Sequence, residues 1–244
     1  MREVAVVMRR ELRSYFLSPI AYVFGALFLA LALWRGIGAI KHDARASTEA
    51  LLIGFPLTFA IFLPLLTMRL WSEERKYGTL ELLLTFPVTI GQLISGKFFA
   101  AVAFLALLLV MTLGLPLTLD HYGELDWGPV IGGYVATLLL AASDVSVGMF
   151  FSSLTRDQIV AGLLSIVALG FLFALALPPV ASWLEAIGLP DLAISAIAGL
   201  SPFGYFVSIS RGVFDTRDIV FYVAFCGFFL YANALVLRRG RQRG

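Results

Sequence analysis

The chain alternates between long apolar stretches and short polar ones. A helix needs about 20 apolar residues to cross the hydrocarbon layer of a bilayer, and six stretches have roughly that length. Turn and cap residues separate them. The pattern predicts an all-α integral membrane protein whose six membrane-spanning helices cover Ile20–Gly38, Ala50–Leu70, Leu93–Leu119, Pro129–Ser152, Ile159–Ala181 and Ile219–Leu237.

The composition agrees with this pattern. Hydrophobic residues make up 60% of the 244 positions and charged residues 14%, whereas soluble domains are nearer half apolar and a quarter charged. The sequence has no internal repeat and no low-complexity tail, so residues 1–244 are expected to form one membrane domain. The net charge of +2 is too small to indicate a nucleic-acid partner.

Residues 1–19 have the pattern of an amphipathic helix. One helical face carries Val4, Val7, Met8, Leu12 and Phe16, and the other favours Arg2, Arg9, Arg10 and Arg13. A helix of this kind lies in the membrane interface and directs its basic residues to lipid headgroups. The alternative is a signal peptide, because Ala30-Leu31-Ala32 resembles a cleavage site.

Several residues mark where helices begin or bend. Thr89 with Gln92, and Thr155 with Gln158, fit capping boxes ahead of the third and fifth spans. The first span is expected to start at Pro19 with Ser18 as its cap, and the fourth at Pro129, while Asp218 is the expected cap of the sixth. Pro56 and Pro64 lie inside the second span, where each removes a helical hydrogen bond. They predict a bent helix that lines a pathway, or else ordinary proline use in a membrane helix.

A polar segment, Ser72–Thr89, interrupts the apolar pattern after the second span. It holds Glu73, Glu74, Arg75, Lys76 and Glu81 in a chain that is otherwise poor in charge. With the N-terminus in the cytoplasm, most of the 18 Lys and Arg residues fall on the cytoplasmic side, as the positive-inside rule requires. Both termini and this segment are therefore expected to be cytoplasmic, and the segment to be the docking surface for a soluble partner.

Enzymatic and metal chemistry have little support in the sequence. The residues from Gly91 to Lys97 nearly form a phosphate-binding loop, but Phe98 stands where a Ser or Thr hydroxyl must bind magnesium. His42 and His121 are the two histidines and Cys226 is the one cysteine, so no metal cluster and no disulfide within the chain are expected. The sequence predicts no catalytic residue and no metal site.

Two further features invite a functional interpretation. Asp144 is an acid deep within the fourth span, where a charge is costly. It faces a substrate path, or it is a structural residue that is protonated or bound to Ser143 or Ser146. Residues 182–218 are too apolar for a water-exposed loop and too broken for a span. They predict a pair of re-entrant helices entering from the outside, with surface amphipathic helices as the alternative.

Two motifs carry a resemblance to a known family. The segment SEERKYGTLELLLTFPVT, followed by QLISGKFFA, resembles the cytoplasmic loop of ABC-2 type transporter permeases. The segment LSPFGYFVSISRGVFDTRDIVFY is similar to the last external region of the gliding-motility (GldF-like) branch. The resemblance covers essentially the whole chain.

The resemblance implies a permease subunit that pairs with a second permease copy and with a separate ABC ATPase subunit. It implies a coupling loop over residues 72–89, in which Ser72–Tyr77 end the second span, Gly78 is the joint and Thr79–Phe86 form a short docking helix, the coupling helix. The docking residues it implies are Glu73, Glu74, Arg75, Gly78, Thr79, Glu81, Leu82 and Leu83. ATP and Mg²⁺ would be bound by the partner, and this chain would need no cofactor. Asp144, Pro56 and Pro64 are the candidate pathway residues, and Ser201, Pro202, Phe203 and Arg211 form a candidate external gate.

The expected function is ATP-driven movement of a substrate, in the export direction, across the cytoplasmic (inner) membrane of a prokaryote. Contacts with membrane lipid and with an extracytoplasmic accessory protein are also expected. Two alternatives remain: a membrane scaffold that couples a cytoplasmic ATPase to an extracytoplasmic partner without transport, and a stand-alone secondary transporter.

Overall fold

The computed structural model describes residues 2–43, 49–80, 88–122 and 125–241, and within these ranges every regular element is an α-helix. The prediction of an all-helical chain is confirmed. The helices are α1 (Arg2–Leu17), α2 (Pro19–Asp43), α3 (Glu49–Thr67), α4 (Arg69–Lys76), α5 (Ile90–Thr112), α6 (Gly114–Tyr122), α7 (Trp127–Leu154), α8 (Gln158–Ala174), α9 (Pro178–Ala186), α10 (Asp191–Ala198), α11 (Pro202–Ser210) and α12 (Thr216–Arg241).

Among the described residues, five helical stretches are long and apolar enough to cross a membrane, and they correspond to five of the predicted spans. The second of them runs through α3 and α4 to Lys76, six residues beyond the expected end at Leu70. The third runs through α5 and α6. The five stretches are Ala21–Gly38, Leu52–Lys76, Ile90–His121, Trp127–Leu154 and Thr216–Arg239.

The fifth predicted span is not one straight helix. α8 ends at Ala174, and the chain bends by 73° before α9 begins at Pro178, because a proline cannot continue the hydrogen-bond ladder of the preceding helix. A second bent pair follows, in which α10 and α11 meet at 79°. Counting each bent pair as one span gives up to seven candidates, so the described helices allow five to seven spans.

The cap predictions were partly right. At Thr89 the capping box is complete, with Thr89 and Gln92 bonded reciprocally. The box predicted at Thr155 was wrong: Asp157 is the N-cap of α8, and its carboxylate accepts from the main-chain N–H groups of Ile159 and Val160. Likewise α7 begins two residues before Pro129, where Asp126 caps it, and Asp218 lies inside the first turn of α12.

α7 is the central helix of the bundle and packs against α3, α4, α5, α8, α11 and α12. Its buried face is rich in small residues, among them Gly132, Gly133, Ala136, Ala141 and Gly148. Small side chains let helix backbones approach closely, which is the usual way in which helices associate within a membrane. The bundle is therefore organised around α7.

α1 packs against α5. Val7 is buried where α5 has Gly96, and the Tyr15 ring stacks on Phe104 with 5.2 Å between ring centroids. The arginines predicted on the opposite face are exposed. The predicted amphipathic helix is therefore present, and its apolar face contacts a neighbouring helix of the same chain.

Candidate functional site around α4

The helix that leads to the polar segment is interrupted at Met68, between α3 and α4, and Ser152 of α7 lies against the interruption. The Ser152 hydroxyl donates to the Met68 carbonyl (2.7 Å). It also accepts from the main-chain N–H groups of Trp71 (3.0 Å) and Ser72 (3.2 Å). The first N–H groups of a helix lack partners within it, so Ser152 caps α4 from another helix. These bonds fix α4 to the centre of the bundle.

Lys97 of α5 holds α1 and α4 together. Its side chain is 3% exposed, and its Nζ lies 2.8 Å from Oε1 of Glu74 and 3.3 Å from Oε2 of Glu11. The same ammonium lies over the ring of Trp71, 5.0 Å from the ring centroid, where the face of an indole attracts a cation. This Lys97 cluster (Glu11, Trp71, Glu74 and Lys97) joins three helices at one point.

From Lys76 to Thr79 the chain is exposed. Lys76, Tyr77, Gly78 and Thr79 are all accessible, and 68% of Tyr77 is exposed. Gly78 has a φ of 69°, a left-handed conformation that other residues adopt only with strain. The chain turns at this glycine and presents the four residues as an exposed tip, which we call the α4 tip.

The predicted docking residues are thus divided between two environments. Glu74 contacts Lys97 inside the bundle, and the Nε atom of Arg75 is buried without a hydrogen-bond partner among the described residues. Glu73 is half-buried, while Gly78 and Thr79 belong to the exposed α4 tip. Three of the docking residues lie outside the described residues: Glu81, Leu82 and Leu83.

The sequence between Gly91 and Lys97 begins α5 as an ordinary capped helix, and Lys97 is already engaged by two carboxylates. Across the described ranges, no group of three or more His, Cys, Asp or Glu side chains could hold a metal ion.

A second set of predicted residues meets at a small cavity of about 20 Å³ between α3, α7, α8 and α11. Its lining includes Asp144 and Pro56, both predicted to line a pathway, and Pro202 and Phe203 from the predicted external gate. Pro64 does not line it, and Arg211 is exposed. The fold brings together residues that the sequence assigned to two different features.

Hydrogen bonds connect the lining of this cavity to α12. The Tyr222 hydroxyl donates to the carbonyl of Pro202 (2.7 Å), and Tyr222 is 1% exposed. Ser201 caps α11 by accepting from the N–H of Phe203 (3.3 Å). The start of α11 is therefore fixed to α12, at the cavity that Asp144 also lines.

The contact between α7 and α11 leaves no room at Gly132, which gives a testable prediction. A Cβ at Gly132 would lie 2.5 Å from the carbonyl oxygen of Ile209 and 2.9 Å from the Cα of Gly212. Both are main-chain atoms, so no side-chain rotation relieves the overlap. We expect Gly132→Ala to lower the free energy of unfolding by about 1–3 kcal/mol, measured by thermal unfolding of the purified protein in detergent.

The matched control is Gly170→Ala in α8, where an added Cβ meets nothing within 4 Å. Both changes gain the same helix propensity, about 1 kcal/mol, so the difference between them isolates the contact. Equal stability of the two variants would contradict a tight α7–α11 interface.

Sequence reasoning missed Lys97, Trp71 and Ser152 as residues of this site. One signal was available for Lys97, because a lysine within an apolar helix is rare unless it is paired. Nothing in the sequence pairs it with Glu11 or Glu74, which lie far away along the chain. Ser152 carries no local signal, since serine is common in membrane helices.

Comparison with known proteins gives two findings. The family described as "ABC-2 family transporter protein" matches residues 5–203. The "Probable ABC transporter permease protein NosY" of Stutzerimonas stutzeri is 27% identical over 183 residues, which cover 72% of this chain. The aligned region spans 59% of that relative's length.

Proposed function

Because the chain belongs to the ABC-2 family of transporter proteins, we propose that it is the permease subunit of an ABC transporter. It moves a substrate across the cytoplasmic (inner) membrane, in the export direction, with energy from a separate ATPase subunit that binds ATP and Mg²⁺. The family match over residues 5–203 carries this proposal. The five long apolar helices support it, since a permease must cross the membrane several times.

In this proposal both termini and the α4 tip face the cytoplasm. The charge distribution supports the orientation, because arginines are concentrated in α1 and at the end of α12. α1 lies at the membrane interface with its exposed arginines toward lipid headgroups. The bent pair of α10 and α11 forms the re-entrant region at the opposite side, supported by the buried Phe206 and Ile209 that pack α11 into the bundle.

The α4 tip and the following residues are the proposed docking surface for the ATPase. Exposed Lys76 and Tyr77 offer a charge and an aromatic ring, and aromatic residues are enriched at the centres of interfaces. Glu81, Leu82 and Leu83 complete the surface. Glu74 has a different role here, because it holds the docking segment on the bundle through Lys97.

Movement at the docking surface would reach the membrane part through α4. Ser152 bonds α4 to α7, and α7 carries Asp144 at the small cavity. We propose that tilting of α4 shifts α7 against α3 and α11 and changes access to Asp144. In this proposal a second permease copy completes the substrate path. An accessory protein binds on the extracytoplasmic side. We propose the gliding-motility branch of the family for this chain on the sequence of the stretch from Leu200 to Tyr222.

The test compares two glycines of the same kind. Gly78 and Gly188 have φ values of 69° and 87°, and an added Cβ meets nothing within 4 Å at either. Valine costs similar backbone strain, about 1–3 kcal/mol, at both positions. We expect Gly78→Val to weaken co-purification with the cognate ATPase about tenfold and to abolish stimulation of ATP hydrolysis, while Gly188→Val leaves both unchanged.

Two results would contradict the proposal. One is equal co-purification of both variants with the ATPase. The other is substrate movement by the purified chain in vesicles without any ATPase, which would favour a stand-alone secondary transporter.

A further inference from the structure

A polar cavity of about 410 Å³ opens between α1, α4 and the start of α5, beside the Lys97 cluster. Its lining carries charges of both signs. The cationic side chains are Arg10, Arg69 and Lys97, and the anionic ones are Glu11, Glu73 and Glu74. A ligand that carries one charge of each sign matches such a lining better than a simple anion or cation does.

The charges that remain for a ligand are fewer than the lining suggests. Lys97 already contacts two carboxylates, those of Glu11 and Glu74. One N–H group of Arg69 donates to the Ser18 hydroxyl (2.7 Å), and a guanidinium has five N–H groups. Arg10 is 61% exposed and lies 3.7 Å from Glu11. Two guanidinium groups can therefore still bind an anion.

Two polar atoms of the lining are buried and have no hydrogen-bond partner among the described residues: the hydroxyl of Tyr15 and Oε2 of Glu74. A buried polar group without a partner costs about 1–3 kcal/mol. Tyr15 is 6% exposed, and burial raises the pKa of its hydroxyl above the ordinary value. The hydroxyl therefore remains a neutral donor, whereas the carboxylate oxygen of Glu74 needs a donor from the ligand.

The rim of the cavity is apolar where α1 ends. Leu17 lines the cavity and is 73% exposed, and its neighbour Phe16 is 40% exposed. Exposed apolar side chains beside a charged cavity fit a molecule whose headgroup is polar and whose remainder is hydrocarbon. A lipid at the membrane interface has this shape.

We propose that this cavity binds the headgroup of a phospholipid that carries a phosphate and a primary ammonium, as phosphatidylethanolamine does. The phosphate contacts Arg10, Arg69 and the Tyr15 hydroxyl, and the ammonium donates to Glu74 and Glu73. This inference rests on the proposed interfacial position of α1, and it is independent of ATPase docking. The bound lipid would brace α1 against α4 beside the docking segment.

The chemistry of the ammonium distinguishes the candidate lipids. A primary ammonium has three N–H donors, and it can satisfy the free oxygen of Glu74. The trimethylammonium of phosphatidylcholine has none, so it leaves that oxygen without a partner. The two lipids otherwise share the same phosphate and acyl chains, and they form a matched pair of probes.

The experiment measures lipid binding to the purified full-length chain in detergent by native mass spectrometry. Dioleoyl phosphatidylethanolamine, the corresponding phosphatidylcholine and water-soluble phosphoethanolamine are titrated in turn. We expect phosphatidylethanolamine to bind about tenfold more tightly than phosphatidylcholine, and soluble phosphoethanolamine to compete only weakly because it lacks the acyl chains.

Two variants and one control assign the binding to this cavity. Arg10→Gln and Tyr15→Phe are each expected to weaken phosphatidylethanolamine binding about tenfold. The phenylalanine keeps the ring that stacks on Phe104. Arg9→Gln is the control, because Arg9 is an exposed arginine beside Arg10 in α1 that does not line the cavity. We expect this variant to bind phosphatidylethanolamine as the unchanged protein does.

Three results would overturn the proposal. The two lipids could bind equally. Arg9→Gln could weaken binding as much as Arg10→Gln, which would mean general attraction to a basic helix. Soluble phosphoethanolamine could displace the lipid at equal concentration, which would make a soluble phosphate compound the ligand. Because the ATPase is absent from the experiment, none of these results bears on ATPase docking.

Discussion

Replacing Lys97 with methionine is expected to lower the free energy of unfolding by about 3–5 kcal/mol. The change leaves the carboxylates of Glu11 and Glu74 mostly buried, at 12% and 14% exposure, without their common cation. Removing one member of a buried ion pair is costly because the remaining charge keeps its desolvation penalty. Thermal unfolding of the purified protein in detergent measures the loss.

The control is a variant in which Lys97→Met is combined with Glu11→Met and Glu74→Met. Replacing a whole buried ionic group by apolar residues of similar size is often nearly neutral for stability. We therefore expect the triple variant to recover most of the loss. If Lys97→Met alone unfolds at the temperature of the unchanged protein, the Lys97 cluster does not hold α1 and α4 on α5.

The long helices could be predicted from the sequence because the bilayer sets their length and the apolar runs report it directly. The ends of the helices were harder. At the start of α8, Thr155 and Asp157 are both good caps, and the choice between them depends on where the first turn begins. The break after Ala174 was signalled by Pro178 and Pro179, but the apolar run continued past it.

The candidate site was only partly predictable, because charge alone does not say which way a side chain points. Glu73 and Glu74 are neighbours, and both were assigned to a docking surface. They lie 100° apart on a helix with 3.6 residues per turn, and only Glu74 reaches Lys97. Their different roles depend on the position of α5, which is set by the tertiary structure and cannot be read from the local sequence.

The small cavity at Asp144 illustrates the same limit. Pro56 and Asp144 were each singled out by their cost in a membrane helix, and Pro202 by its place in a broken apolar segment. Their meeting at one cavity depends on the packing of α3, α8 and α11 around α7. The sequence could predict that each residue is unusual, but it could not predict which other residues each one contacts.

Ser152→Ala is expected to lower the free energy of unfolding by about 2–4 kcal/mol, because two buried N–H groups at the start of α4 lose their acceptor. The Met68 carbonyl also loses a donor. In the complete transporter we expect ATP hydrolysis to continue while substrate movement slows, since α4 then moves without displacing α7. Thermal unfolding and the ratio of transport to ATP hydrolysis measure the two effects.

Ser153→Ala is the matched control, because Ser153 is equally buried and its hydroxyl donates to the carbonyl of Phe150 in its own helix (2.7 Å). That change removes a hydroxyl next to Ser152 without disturbing α4. We therefore expect the ratio of transport to ATP hydrolysis, the coupling ratio, to be unchanged. If both variants lower the coupling ratio alike, the signal does not pass through the Ser152 cap. If neither does, α4 transmits force through the Lys97 cluster, and the Lys97→Met variant should then uncouple the transporter.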